Sequence, residues 1–211
     1  MKICILDYGV GNLFSVEKAC RQFTNDVFVQ EDSVDIEACD ALILPGVGSF
    51  KAGMDGLKIR GLTEAVHKHV NVDKPLLGIC LGAQLLLSKG EEFGEHEGLN
   101  IIPGKVTHFP TLVGGCKIPH IGWNAIDPPQ SDTWKNTIFD TMQPGVEMYF
   151  VHSYILHPQN SENVLAHTQY GGCTFASAIR KGNVYGCQFH PEKSATDGLQ
   201  IIEQFLNMVS T

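Results

Sequence analysis

Cys80 stands between Gly78 and Gly82, at the end of the apolar run Leu76-Leu77-Gly78-Ile79. That is the G-x-nucleophile-x-G spacing of a strand-turn-helix elbow. A nucleophile on so sharp a turn has a strained backbone, and its neighbours must lack side chains for strand and helix to approach. The start of the helix would offer partial positive charge and free N–H groups, first to a thiolate and then to an oxyanion. The pattern is short, and it equally fits an ordinary buried cysteine in a strand-to-helix turn. A cysteine nucleophile needs a base, and the base an orienting group. Both are on offer in Gln188-Phe-His-Pro-Glu192. Residues two apart in an extended segment face the same side, so His190 and Glu192 would project together. Pro191 biases His190 towards an extended conformation. The other reading is an exposed His-Pro-Glu turn, but the segment follows an apolar strand, where parallel α/β sheets place their sites. The third part is Pro45-Gly46-Val47-Gly48, whose glycines let backbone N–H groups point into a site. The N–H groups of Val47 and Leu81 would form an oxyanion hole for acyl transfer. A phosphate-binding P-loop is not supported, because Gly-Lys-Ser/Thr is missing.

The elements that must hold these residues follow from periodicity. Lys2–Leu6, Val27–Gln30, Ala41–Leu44 and Leu76–Ile79 read as strands, while 13–22, 61–70 and 81–87 have helical character. Strands alternating with helices imply a parallel sheet covered on both faces. The later stretches 106–109, 148–154, 164–168, 174–180 and 184–189 read as consecutive strands, and 198–209 as a closing helix. The expected fold is therefore α/β, a mixed and mostly parallel sheet flanked by helices, with an additional antiparallel β portion. Residues 1–211 are expected to form one domain.

Composition narrows the class. Hydrophobic residues are 43% of the 211, and charged residues 18%, so a sizeable core is available and disorder is not expected. A formal charge of −8 argues against nucleic acid or an anionic membrane as the main partner. No stretch approaches the roughly 20 apolar residues of a membrane span. Asp7 interrupts the first apolar segment too early for a signal peptide. Seven cysteines without C-x-x-C spacing speak against a disulfide framework or thiolate zinc site, and for a reducing cytoplasm. His67 and His69 point to different sides of a helix, so a shared metal is not expected. His96, His108, His157 and His167 read as surface or loop residues, and the six other cysteines as small core residues or bystanders.

In combination, Pro45–Gly48, Gly78-Ile-Cys-Leu-Gly82 with Gln84, and Gln188–Glu192 resemble the class I (triad) glutamine amidotransferases. Asp7–Asn12, Pro119–Asn124, Tyr149–Tyr154 and Lys193-Ser194 further resemble the branch that supplies ammonia for imidazole glycerol phosphate synthesis in histidine biosynthesis. The resemblance covers essentially the whole chain and implies a flavodoxin-like class I amidotransferase fold. It implies L-glutamine as substrate, Cys80, His190 and Glu192 as the catalytic triad, and no cofactor. Gln84, Ser153 and Tyr154 would contact the glutamine, with the backbone of Gly46, Val47 and Gly48. Ammonia would pass to a TIM-barrel cyclase subunit in a heterodimer, with Asn12, Ser15, Trp123, Tyr149 and Lys193 near that interface. Trp123 suits an interface anchor or a buried core position, and Lys193 a partner carboxylate or plain solvent. The glycines around Val47 make a peptide flip easy, so the oxyanion hole is expected to stay misformed until the partner docks. Ala83 departs from the methionine of many relatives. The same glutaminase feeding surface-sugar amidation, a stand-alone γ-glutamyl cysteine hydrolase, a silent scaffolding subunit and a nucleotide-binding module are the competing readings.

Overall fold

A computed structural model describes residues 1–32 and 36–209. The first half runs β1 (Ile3–Leu6), α1 (Leu13–Cys20), β2 (Val27–Gln30), β3 (Ala41–Gly46), α2 (Phe50–Ile59), α3 (Leu62–Asn71), β4 (Leu76–Cys80) and α4 (Leu81–Leu85). Then come β5 (Leu87–Gly90), β6 (His96–Glu97), β7 (Ile102–His108), β8 (His120–Ile126) and β9 (Val146–His152). The last elements are β10 (Tyr154–Pro158), β11 (Val164–Tyr170), β12 (Cys173–Lys181), β13 (Val184–Cys187) and α5 (Ala195–Met208).

Strands β2-β1-β3-β4-β13 lie side by side and parallel. The sheet continues antiparallel from β13 through β12 and β10 to β7, then runs through β5 to the edge strand β6, with β11 branching off β12. Strands β8 and β9 form a separate antiparallel pair. This is the expected mixed sheet with an antiparallel portion. Period-2 alternation divides each central strand between two cores. Ile3, Ile5, Ile43, Leu77 and Ile79 pack with residues of α1 and α5, whereas Cys4, Leu6, Leu42, Leu44 and Leu76 pack with residues of α2, α3 and α4.

Several local outcomes differ from the sequence reading, among them strands β5, β6 and β8, which were not read. The helix expected over 81–87 ends at Leu85, and Leu87 already belongs to a strand. Backbone N–H groups of Leu99, Ile101 and Ile102 bond the carbonyls of Leu85 and Leu86, which satisfies the helix end and draws the chain into the sheet. The run 148–154 is two strands broken at Ser153, one in each sheet. Helix α2 was not read at all, because Gly53 and Gly56 weaken its propensity. Both are needed for close approach: a Cβ at Gly56 would lie 2.1 Å from the Tyr8 carbonyl oxygen, and one at Gly53 2.9 Å from Leu85. Ser49 caps this helix through Oγ, and Glu92 Oε2 accepts from the Phe50 N–H at 2.6 Å.

Candidate active site

Because β3, β4 and β13 are parallel neighbours, their C-terminal ends lie on one edge of the sheet. Gly46 closes β3 opposite Cys80 at the end of β4, and His190 follows β13 by three residues. Cys80 has φ 54 and ψ −107, a backbone that a non-glycine residue adopts only under strain, on the order of 1–3 kcal/mol. The elbow is compressed from both sides. A Cβ at Gly82 would meet the Leu44 carbonyl oxygen at 1.7 Å, and one at Gly78 the Ala83 nitrogen at 2.8 Å. With only five residues, α4 contributes mainly the N–H groups of its first turn rather than a long macrodipole.

His190 Nδ1 and Glu192 Oε1 are 2.8 Å apart, with side chains only 3% and 2% exposed. The geometry is not the extended one read from the sequence. His190 is extended, but Pro191–Lys193 form a 3-10 turn that folds the carboxylate back onto the ring. Ser194 Oγ fastens this turn by donating to the His190 carbonyl at 2.6 Å, and it accepts from the Tyr149 N–H at 2.9 Å. Burial pulls the imidazole pKa down, but Cys80 and Glu192 outweigh it and hold the group up at about 9. His190 Nε2 is buried and makes no completed hydrogen bond within the described residues. The ring sits between the Glu192 carboxylate and the Cys80 sulfur, and both favour its charged form.

A cavity of about 300 Å³ opens beside Cys80, lined by Val47, Gly48, Leu81, Gln84, Glu92, Val151, His152, Ser153 and Tyr154. Gln84 is buried, and its Nε2 donates to Gln188 Oε1 at 3.2 Å and to the Tyr154 carbonyl at 3.4 Å. Gly48 has φ 105 with open space around it, and Gly46 has none to spare: a Cβ there would fall 2.1 Å from the Tyr8 hydroxyl. A second cavity, of about 480 Å³, gathers Phe14, Ser15, Lys18, Trp123, Lys193 and one edge of Glu192. Trp123 is 51% exposed and meets Tyr149 edge-on at 6.1 Å, so the core reading of this tryptophan is wrong. Asn12 caps α1 through Oδ1 on the Ser15 N–H, which gives it a local structural task on the same rim.

An acid–base pair beside a strained cysteine, next to a small polar cavity, suits acyl transfer from an amide. A sequence model described as glutamine amidotransferase class-I matches residues 4–209. The chain belongs to that family. The imidazole glycerol phosphate synthase subunit HisH 1 of Legionella pneumophila (strain Lens) is 45% identical over 210 residues, covering 98% of this chain and 99% of that protein. The HisH subunit of Syntrophotalea carbinolica is 44% identical, covering 98% of this chain and all of its own length. Among solved structures, a glutamine amidotransferase crystal structure superposes with a TM-score of 0.75 at 18% identity, covering 100% of both chains. PurLQS from Thermotoga maritima gives 0.73 at 18% identity, covering 98% of each. These two share the fold.

Two residues near the candidate site were missed in the sequence. Glu92 puts a carboxylate on the cavity wall, but it lies in a charged loop, Glu91-Glu92-Phe93, that reads as solvent-facing. Tyr8 is buried beneath Gly46, close enough to Cys80 for the two to interact, and burial raises its phenol pKa. Only its place in Asp7–Asn12 could have drawn attention to it.

Proposed function

We propose that this chain is the glutaminase subunit of imidazole glycerol phosphate synthase, working in the cytoplasm without a cofactor. The observation that carries the chemistry is the buried His190–Glu192 pair acting on Cys80. The pathway rests on near-full-length similarity to HisH proteins. Cys80 attacks the side-chain amide carbon of L-glutamine as the thiolate paired with the His190 imidazolium, and the N–H groups of Val47 and Leu81 receive the oxyanion. His190 protonates the departing nitrogen, and ammonia leaves a γ-glutamyl thioester. His190 then takes a proton from water as it attacks the thioester, releasing glutamate and restoring the Cys80 thiolate–imidazolium pair. Glu192 keeps the imidazole oriented and stabilises its cation. Gln84, Ser153 and Tyr154 hold the glutamine, and Glu92 offers a counter-charge for its α-ammonium group.

The ammonia acceptor is a TIM-barrel cyclase subunit of the HisF kind, forming a heterodimer. It docks on the rim carrying Asn12, Ser15, Trp123, Tyr149 and Lys193. The test is to mix the purified chain with the cyclase and its nucleotide substrate and measure glutamate release. Hydrolysis is expected to rise strongly over the chain alone. Equal activity with and without the partner would reject the coupling, and no activity in the complex would reject the glutaminase reading itself.

A further inference from the structure

Three histidines are buried outside the triad, His69, His120 and His152, and the last two pair with each other beside the glutamine pocket. His120 (2% exposed) and His152 (6%) are opposite each other across the β8–β9 pair. His152 Nδ1 is 2.8 Å from the Tyr154 carbonyl, which can only accept, so Nδ1 carries the proton. Neutral His152 then has a lone pair on Nε2, and His120 Nδ1 lies 3.1 Å from it and must donate. His120 Nε2 is left as an acceptor, facing Asn124 Nδ2 at 3.4 Å, and that amide also donates to the Gln169 carbonyl at 2.9 Å. Every proton has one allowed place. Either ring as a cation would set two donors against each other, and burial holds the two pKa values down at about 4 and about 3. His120 is also stacked between Tyr170 and Phe150, at centroid distances of 3.9 and 4.9 Å, which fixes its plane.

The other end of this chain of bonds is the reaction centre. The Tyr154 carbonyl accepts from Gln84 as well as His152, so both its lone pairs are engaged. Gln84 bonds Gln188, whose Nε2 lies 3.9 Å from Cys80 Sγ. Asn124 is the residue after Trp123 on β8, so the bonds run from the aromatic rim to the nucleophile.

We propose that His120 and His152 are positioning residues for the glutamine pocket. With a single proton order, they hold the Tyr154 carbonyl against Gln84 and tie that contact to the strand carrying Trp123. The inference rests on the glutaminase reading above and deepens it. A loosened contact of about 1 Å can cost up to about 100-fold in a positioned reaction. His120→Phe keeps the stack but removes the donor. In complex with the cyclase it should raise KM for glutamine roughly 10-fold or more, with ammonia-driven turnover unchanged within about twofold. His120→Asn, which retains a donor near the Nδ1 position, should restore most of the loss. An unaltered glutamine KM and kcat in His120→Phe, or an equal loss of ammonia-driven turnover, would overturn the proposal. Nitrogen-15 NMR of the unsubstituted chain tests it without any variant. Both rings should be neutral with the proton on Nδ1, and an Nε2–H tautomer at either would also overturn it. A wild-type complex that fails to hydrolyse glutamine rejects the functional reading, while the tautomers still decide the proton order.

Discussion

At Cys80 the backbone is distorted and the residue is 6% exposed, a combination that stability alone gives no reason to keep. Cys80→Ala should abolish glutamine-dependent turnover of the complex and leave ammonia-dependent turnover intact, which parallel assays with the two nitrogen sources will read. Glu192→Gln should lower glutamine kcat roughly 100- to 10,000-fold, because the imidazolium loses its counter-charge and its tautomer is no longer set. His190 also links stability to pH. Its folded pKa of about 9 lies above the unfolded value of about 6.5, so the native state binds the proton more tightly. That contribution is complete below about pH 6.5 and is lost as pH rises through about 9. The difference in urea midpoint between wild type and His190→Gln should therefore be largest near pH 6 and shrink by pH 10. The residue types were legible at this scale: Gly-x-Cys-x-Gly and His-Pro-Glu name a nucleophile, a base and an orienting group. The 3-10 turn that joins His190 to Glu192 was not, because Ser194 and Tyr149 fasten it from elsewhere in the chain.

The elements owe their reach to missing side chains. Helix α4 sits so close on β3 that the Leu44 carbonyl occupies the space of a Gly82 Cβ. Gly82→Ala should therefore shift α4 or expand the elbow, costing roughly 3 kcal/mol. At about 2–4 °C per kcal/mol for a chain of this size, Tm should fall about 6–12 °C by calorimetry. Activity should fall further than stability, since the Leu81 N–H moves with the helix. Periodicity located most strands, because alternating apolar residues mark a pleated, buried surface. It failed where long-range pairing decided the outcome. Leu86 and Leu87 look helical in isolation, yet Leu87 pairs with Ile102 in the sheet. Strand β8 was not read from the sequence, and it pairs in register with β9.

For the whole molecule, the parallel half of the sheet gathers the candidate reacting groups on one edge, and the β8–β9 pair adds a rim with exposed Trp123 beside partly buried Tyr149. Trp123 there is half-exposed while most large side chains are buried, which suits an interface hot spot. Trp123→Ala should weaken binding to the cyclase by about 2 kcal/mol, about 30-fold in Kd, with the melting temperature of the free chain unchanged. Titration calorimetry against the cyclase reads the first quantity, and a thermal melt the second.

By itself the sequence determined which chemistry was available, because a nucleophile, a base and a carboxylate are properties of residue types and local spacing. It also determined the alternation that makes an α/β sheet, because burial on two faces writes itself into periodicity. Only the tertiary structure decided which distant groups meet. Gly46 opposes Cys80, Tyr8 lies under Gly46, Glu92 reaches the cavity, and His120 meets His152. Those contacts come from strand order and sheet register, which are long-range outcomes of packing that no local pattern encodes.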